Sequence, residues 1–342
     1  MSQPFSSQPS RDMSGSLAIT PSESPEQPTT PVPMAAPAAL VPPFHVRVLH
    51  AVQTIWRALT INRKVASGTM IVLFFVLVAI FGPLFLPGDP NRITHDGNLS
   101  PSLHHLLGTT SLGQDLFGQL ILGTQTSVLW GFFSAILVTL LSIVIGLVGG
   151  YFSGVIDEIL SFITNIFLVL PGIPLMLVIA SYVPAGALTV ALVVTITSWA
   201  WGARVLRAQT LSLRSREFVT AARSNGETTV RILFYEIFPN QISLVAANFV
   251  STMIQVVLAF ATLQFLGLGD TTQASWGGML YWAQNAGALL GGRWWWFIPP
   301  GACIAVLGAG LSLINFGIDE VADPRLRSEP KIKVPKLKKA VA

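Results

Sequence analysis

The sequence predicts an all-α integral membrane protein with six transmembrane helices. Of its 342 residues, 51% are hydrophobic and only 11% are charged, whereas a soluble domain carries about a quarter charged residues. The mean hydropathy is +0.63. The charges are also bunched, and five runs contain no Asp, Glu, Lys or Arg: residues 65–88, 116–156, 159–203, 237–269 and 294–318. Each run is long enough to cross a bilayer, for which about 20 apolar residues suffice.

The third run is too long for one helix, and residues 182–186, Tyr-Val-Pro-Ala-Gly, are typical of a turn outside the hydrocarbon layer. Pro171 and Pro174 are expected to kink the span before that turn. Gly146 and Gly150, four residues apart, are expected to let the second span pack closely against a neighbour. The predicted spans are residues 66–86, 127–150, 157–181, 186–203, 240–266 and 297–318.

The positive charges predict the orientation, because Lys and Arg near span ends stay on the cytoplasmic side. With the N-terminus inside, 18 of the 20 Lys and Arg residues fall on cytoplasmic segments, and only Arg92 and Arg293 fall outside. Both termini and residues 204–239 are therefore assigned to the cytoplasm of a multi-pass cell-membrane protein. This topology accounts for the net charge of +4, so that nucleic-acid binding is an unneeded explanation.

The two ends of the chain are predicted to be tails around a transmembrane domain at residues 59–327. Residues 1–58 are a disordered cytoplasmic tail and lead-in, since the first 43 residues are rich in Ser, Pro, Thr and Gln. Residues 328–342 are a basic tail near the anionic headgroups of membrane lipid. Cys303 lies inside the last span, where it has no second Cys for a disulfide.

Residues 204–239 form a polar insert between apolar stretches, with six Arg and three Glu. Thr220, Ala221, Ala222 and Gly226 place small residues at helical spacing, which suits the close approach of another protein surface. The surrounding charges would keep a short helix pair at the membrane surface. A merely solvated loop with a Gly helix stop explains the same features, and these residues leave both interpretations open.

Catalytic motifs are missing from the sequence. It contains no phosphate-binding Gly-x-x-x-x-Gly-Lys loop, no His-Glu-x-x-His and no Gly-x-Ser-x-Gly. The charge-free runs also lack the carboxylates and lysines of proton relays. A membrane-embedded enzyme and a self-sufficient channel or carrier are therefore the weaker interpretations, and a transporter of this type would receive its energy from another subunit.

The insert resembles the EAA loop of ABC importer permeases, whose pattern is Glu-Ala-Ala, three residues, Gly, and about ten residues to an Ile-x-Pro ending. Here the corresponding residues are Thr220-Ala-Ala222, Gly226 and Ile237-Phe-Pro239. Two departures are visible: Thr220 stands where the family has Glu, and Phe238 where it usually has Leu. Thr220 puts in doubt any salt bridge that the Glu would make.

The resemblance covers most of residues 65–327. In its details, this region resembles the C-type permease of dipeptide and oligopeptide importers (OppC/DppC). Residues 107–115, Leu-Gly-Thr-Thr-Ser-Leu-Gly-Gln-Asp, match that subfamily's signature before the second span. Residues 263–269 and 275–280 match its motifs after the fifth span, and Asp323-Pro-Arg-Leu-Arg327 its usual ending. Several signatures in the right order are more specific than one loop.

The resemblance implies a type I ABC importer permease that works by alternating access. Its partners would be a second, B-type permease, two cytoplasmic ABC ATPase subunits and an external solute-binding protein. This chain would bind no cofactor, since ATP and Mg would be held by the ATPases. The cargo implied is a dipeptide or oligopeptide, with a nickel chelate or an oligosaccharide as alternatives. The residues implicated in ATPase coupling are Glu217, Thr220, Ala221, Ala222, Gly226, Ile237 and Pro239.

Uncharged polar residues inside the spans are candidates for lining a translocation path, because an amide facing lipid is costly. They would serve equally well as bonds between helices. The candidates are Asn165, Asn248, Gln255, Gln264 and Asn315. Outside the spans, His95, His104 and His105 lack the patterned partners of a metal site, and no metal is predicted. Trp294, Trp295 and Trp296 are assigned to the headgroup layer, with an aromatic contact to peptide as the alternative.

Overall fold

The computed structural model describes residues 63–270 and 272–322, and these ranges are built from helices joined by loops. The predictions for the two terminal tails lie outside the described residues. The described part of the chain begins with α1 and a short 3₁₀ turn, and a long segment then leads to the second helix. The helices are α1 (Arg63–Phe81), α2 (Leu116–Tyr151), α3 (Val155–Val169), α4 (Gly172–Ser181), α5 (Ala187–Arg214), α6 (Glu217–Ser224), α7 (Thr229–Phe265), α8 (Trp276–Asn285) and α9 (Trp294–Ala322).

The centre of the bundle is the parallel pair α2 and α5. Gly146 lies against Leu206, and Gly150 lies against Thr210, so that contacts advance along both helices in the same direction. A Cβ atom on Gly146 would lie 2.7 Å from the Cβ of Leu206, which shows that the backbones touch. The predicted close packing at these glycines is confirmed. Ser142 Oγ adds a hydrogen bond, donating to the Trp199 carbonyl at 2.8 Å.

The predicted third span, residues 157–181, is wrong as a single kinked helix. It consists of α3 and α4, whose axes differ by 93°. Pro171 causes the break, because the residue before a proline avoids the helical region and Leu170 is extended, with φ −67° and ψ 133°. Pro174 causes no kink, since it lies in the first turn of α4, where a missing N–H is tolerated.

The parallel direction of α2 and α5 shows that α3 and α4 together cross the bundle once. We call the end of the bundle where α2 and α5 terminate the α6 end, because α6 follows α5 there. Since α2 ends and α5 begins at different ends, α3 and α4 together return the chain across the bundle. Within residues 63–270 and 272–322, five helices are long and apolar enough to cross a membrane, and the bent pair makes six, in agreement with the predicted number.

The first and last helices described are antiparallel, because Val65 packs against Gly317 and Ile71 against Gly310. Gly82, at the end of α1, contacts Ile121 near the start of α2. Residue 63 and residue 322 therefore lie toward the α6 end. The described ends of the chain and the polar insert share one side of the six-crossing bundle, as the predicted topology requires.

Three helix boundaries differ from the predictions, and one of them is the start of the fifth span, which was placed at residue 240 although α7 begins at Thr229. The second span was placed at 127–150, but α2 begins at Leu116, capped by Asp115, whose Oδ2 accepts from the Gly118 N–H at 2.7 Å. The fourth span was ended at residue 203, but α5 continues to Arg214. The Arg residues of this extension do not end the helix, because two of them have polar partners on α3.

The short helix α8 was not predicted, and it fills the end of the bundle opposite α6. Ser275 caps its N-terminus by accepting from the Gly278 N–H at 3.0 Å. Trp276 is fully buried, and its Nε1 donates to Thr124 Oγ1 of α2 at 3.2 Å. These contacts attach the segment between α7 and α9 to the start of α2.

Candidate functional site

The site predicted from the polar insert is the helix α6 with the turn that follows it. Arg216 is extended and α6 begins at Glu217. The helix ends in two hydrogen bonds, from the Gly226 N–H to the Arg223 carbonyl and from the Glu227 N–H to the Ala222 carbonyl. This is the Schellman arrangement, which requires a left-handed residue, and Gly226 has φ +77°. The Gly therefore has a defined backbone role.

One face of α6 is anchored to the bundle. Val219 is completely buried in an apolar cluster with Leu147 of α2 and Ile232, Leu233 and Ile237 of α7. Ala222 and Phe218 are partly buried against the same cluster. A short helix of eight residues is marginal by itself, so this packing explains why α6 forms. Ala222 thus belongs to the inward-facing side of the helix.

The other face of α6 is open. Glu217, Thr220, Ala221 and Gly226 are exposed. A Cβ atom on Gly226 would have no neighbour within 4 Å, so the turn presents bare backbone to the surroundings. The hydroxyl of Thr220, at the position where the resembling family has Glu, donates to its own helix at the Arg216 carbonyl, at 3.3 Å. The predicted small-residue set is therefore divided, with Ala222 inward and the others outward.

Two cationic side chains, one from α5 and one from α6, contact the end of α2. Arg214 Nη1 lies 3.4 Å from the carbonyl oxygens of Gly150 and Tyr151, where α2 ends. The guanidinium of Arg223, on α6, lies 5.7 Å from the centre of the Tyr151 ring, within the range of a cation–π interaction. The end of α2 is therefore in contact with both α5 and α6.

A second set of polar contacts joins α3 to α5 near the same end. Arg207 donates to both carboxylate oxygens of Asp157, at 2.6 and 2.8 Å. Arg204 Nη2 donates to Asn165 Oδ1 at 2.6 Å. Asn165, predicted as a path-lining residue, is thus the partner of an Arg. The two contacts hold the first arm of the bent pair against α5.

We expect Asp157→Asn to destabilise the protein because it leaves Arg207 without its charge partner. The pair is partly buried, with side-chain exposures of 33% for Arg207 and 21% for Asp157, and the expected loss lies between about 1 and 3 kcal/mol. Thermal unfolding of the purified protein in detergent measures it. Glu227→Gln is the matched control, since it removes an i,i+4 surface pair with Arg231. An equal effect of both substitutions would contradict the structural role of the α3–α5 pair.

Ile237 and Pro239 shape the start of α7. Ile237 is fully buried, whereas Pro239 falls inside the helical run. A proline has no N–H and its ring clashes with the carbonyl four residues earlier. Residues Ile232–Ile237 widen into a π-helix, and Phe238–Gln241 form a 3₁₀ turn, which accommodates the proline without ending the helix. The Ile-x-Pro ending thus shapes the start of α7, against which α6 packs.

The predicted path residues do not form one group. Asn248 is buried beside Gly202, and Gln264 is buried against Gly269 and Gly277. Among the described residues, neither Asn248 Nδ2 nor Gln264 Oε1 has a hydrogen-bond partner. Asn315 Oδ1 accepts from Ser251 at 3.1 Å. Gln255 differs from the other four. It is exposed within the apolar part of α7, and no hydrogen bond joins it to another described side chain.

Sequence reasoning missed Gln241, which is 1% exposed. Its Nε2 donates to Thr210 Oγ1 of α5 at 2.8 Å, so that the base of α7 is fastened to the end of α5. The sequence signal that could have identified Gln241 was its position two residues after Pro239. Among the described residues no group of three or more His, Cys, Asp or Glu side chains is placed to hold a metal ion.

Comparison with known proteins gives two family matches. The family described as "Binding-protein-dependent transport system inner membrane component" matches residues 142–328, and "N-terminal TM domain of oligopeptide transport permease C" matches residues 51–101. The dipeptide transport system permease protein DppC of Bacillus subtilis is 31% identical over 279 residues, which cover 80% of this chain and 86% of the relative.

Two further relatives have similar coverage. The oligopeptide transport system permease protein OppC of Bacillus subtilis is 31% identical over 269 residues, covering 78% of this chain and 87% of the relative. A putative peptide permease protein of Brucella suis is 32% identical over 266 residues, covering 77% and 88%. The two family matches contain α1 and every described helix from α3 onward, and the match to residues 142–328 begins within α2.

Proposed function

The chain belongs to the binding-protein-dependent transport system inner membrane components, and we propose that it moves dipeptides or oligopeptides into the cell as the C-type permease of an ATP-driven importer. The peptide cargo is supported by the names of its relatives, which include a dipeptide and an oligopeptide permease. Uptake of radiolabelled trialanine by cells with and without the gene tests this function. Loss of trialanine uptake is the expected result, and loss of nickel or disaccharide uptake alone would contradict it.

The proposed mechanism is supported by the difference between the two faces of α6. Its inner face is fixed to α2 and α7 through Val219, and its outer face offers Ala221 and the bare turn at Gly226. We propose that this outer face sits in a groove of a cytoplasmic ABC ATPase subunit. A push on α6 would pass through the buried cluster to α2 and α7 and tilt both helices, changing the side on which the path opens.

The further partners follow from membership in the family. A second, B-type permease would supply the other half of the path, two ATPases would hold ATP and Mg, and an external solute-binding protein would deliver the cargo. Because the charge count places residues 204–239 inside, the α6 end is the cytoplasmic end in this proposal. Residues 87–125 and 268–296, at the opposite end, would meet the binding protein.

Cysteine labelling tests this orientation. In a Cys303→Ser background, Leu290→Cys lies at the end opposite α6 and Ser224→Cys lies on α6, and both positions are exposed. A membrane-impermeant maleimide added to right-side-out vesicles is expected to label residue 290 and to reach residue 224 only after the membrane is opened. The reverse pattern would contradict the assignment of the α6 end to the cytoplasm.

The translocation path is proposed to follow one face of α7. Gln255 is exposed there, and Ser251 and Thr262 lie four residues before and seven after it, on the same face of a helix. Ser251 links this stripe to Asn315 of α9. Uncharged polar groups on an otherwise apolar span suit a path for peptide amides better than contact with lipid.

We expect Gln255→Leu to lower peptide uptake several-fold at unchanged membrane levels, since it removes an amide from the proposed path. Gln255→Asn is the matched control, because it keeps an uncharged amide at residue 255 and is expected to retain most of the uptake. The measurement is the initial rate of trialanine uptake per amount of complex. Normal uptake by Gln255→Leu would exclude residue 255 from the path.

A further inference from the structure

A cavity of about 290 Å³ lies at the end of the bundle opposite α6. Its wall comes from the segment before α2, the first turns of α2, the region from residue 272 through α8, and the start of α9. None of the described residues that line it is charged. Seven are uncharged polar residues: Asn91, Thr110, Ser111, Gln114, Gln119, Thr272 and Gln273.

Part of the wall is held in place by a network of amides. Gln114 Nε2 donates to the Asn91 carbonyl at 2.8 Å, and Gln119 Nε2 lies 3.1 Å from Gln114 Oε1 and 3.3 Å from Asn91 Oδ1. The Gln114 backbone N–H donates to Thr110 Oγ1 at 3.1 Å. Because these groups are already fixed, a ligand would lose little free energy in ordering them.

The rest of the lining is apolar and includes two indole rings. Leu116 and Met279 are almost completely buried, and Trp282 is half exposed at the cavity. Trp296 is only 2% exposed, and its buried Nε1 has no hydrogen-bond partner among the described residues. A buried indole N–H normally has an acceptor, so a carbonyl group that reached this N–H from the cavity would supply one.

The wall chemistry identifies the ligand class. A molecule that fits would be uncharged where it is enclosed, because no counter-charge lines the cavity and burying an unpaired charge is costly. It would present both hydrogen-bond acceptors and donors and an apolar side. We propose that the cavity binds an uncharged stretch of peptide main chain, as a receiving site for cargo at the outer end of the permease. This inference rests on the proposed peptide function.

Direct binding to the full transporter tests the site. The probe is N-acetyl-trialanine amide, which has peptide bonds but no charged ends. Calorimetry is carried out on the complex of this chain with its partner permease and ATPases in nanodiscs, without the binding protein. We expect the wild type to bind the probe and Trp296→Phe to bind it about tenfold more weakly, because the substitution keeps the aromatic ring and removes the N–H donor.

Two further variants complete the design. Ser111→Trp, at an exposed lining position, is expected to fill the cavity and abolish binding. Trp294→Phe is the matched control, since Trp294 is 49% exposed and lies outside the cavity, and it is expected to bind as the wild type does. Circular dichroism and assembly with the partner subunits confirm that each variant is folded.

Failure of the proposed site and failure of the proposed function would give different results. Equal binding of the probe by wild type and Trp296→Phe, or equal binding of sucrose and the probe, would overturn the proposed site or its ligand class. Failure of the wild-type complex to bind the probe, together with normal peptide uptake in cells, would overturn the site and leave the importer function intact. Absence of peptide uptake from cells that carry the intact transporter would overturn the function itself.

Discussion

Gly226→Asp is expected to abolish peptide uptake while leaving the chain folded and in the membrane. The cost to the fold is small, because a side chain at residue 226 would meet nothing within 4 Å and Asp tolerates the left-handed backbone at about 1 kcal/mol. The cost to coupling is large. An unpaired carboxylate forced into a protein groove costs about 3–5 kcal/mol, which corresponds to more than about a hundredfold loss of binding.

Gly226→Asn is the matched control, since Asn has the shape of Asp, adopts the left-handed conformation and carries no charge. Uptake of labelled trialanine and the membrane level of each variant are measured together. We expect Gly226→Asn to retain a substantial part of the uptake and Gly226→Asp to retain none. Unchanged uptake by Gly226→Asp, at a normal membrane level, would remove the turn after α6 from the coupling surface.

Gly150→Leu is expected to destabilise the bundle strongly, because α2 and α5 touch at this residue. A Cβ atom there would lie 2.8 Å from the Arg207 carbonyl oxygen and even closer to Thr210. The backbone cannot move away locally, since the same two helices also meet at Gly146. Overpacking of this type costs about 1–3 kcal/mol or more, and we expect an apparent melting temperature lower by at least about 5 °C.

Gly308→Leu provides the comparison, since a Cβ atom on that α9 glycine would have no neighbour within 4 Å. Both substitutions add the same side chain to a glycine inside a long helix. Thermal unfolding in detergent and the yield of monodisperse protein are the measurements. Similar values for the two variants would show that the α2–α5 contact is not required for the stability of the bundle.

The sequence was a good guide wherever one local pattern determines the structure. Runs without charge predicted the helices that cross the bundle, since few other structures satisfy the backbone in lipid. The small residues before Gly226 predicted a short helix with a Gly stop, and α6 with its Schellman turn is that element. Gly146 and Gly150 predicted a close helix contact, although their partner, α5, was not identifiable from their spacing.

The features that sequence reasoning missed depend on partners that are distant in the chain. The polar insert was predicted to begin at residue 204, but α5 continues to Arg214, and Arg207 is paired with Asp157, which lies 50 residues earlier in the chain. Asn248 and Gln264 were candidates for a path, yet their burial depends on glycines of other segments. The break at Pro171 was expected as a kink, because a sequence does not give the angle between two arms.

The contact between α6 and an ATPase is tested most directly by photo-crosslinking. A photoreactive amino acid replaces the exposed Ala221 in the tagged full chain, and the irradiated complex is purified in mild detergent and identified by mass spectrometry. Leu290, 95% exposed at the opposite end, is the control position. We predict an adduct with an ABC ATPase from residue 221, none from residue 290, and co-purification of a second permease. Recovery of a lone homo-oligomer without an ATPase adduct would contradict the coupling role of α6.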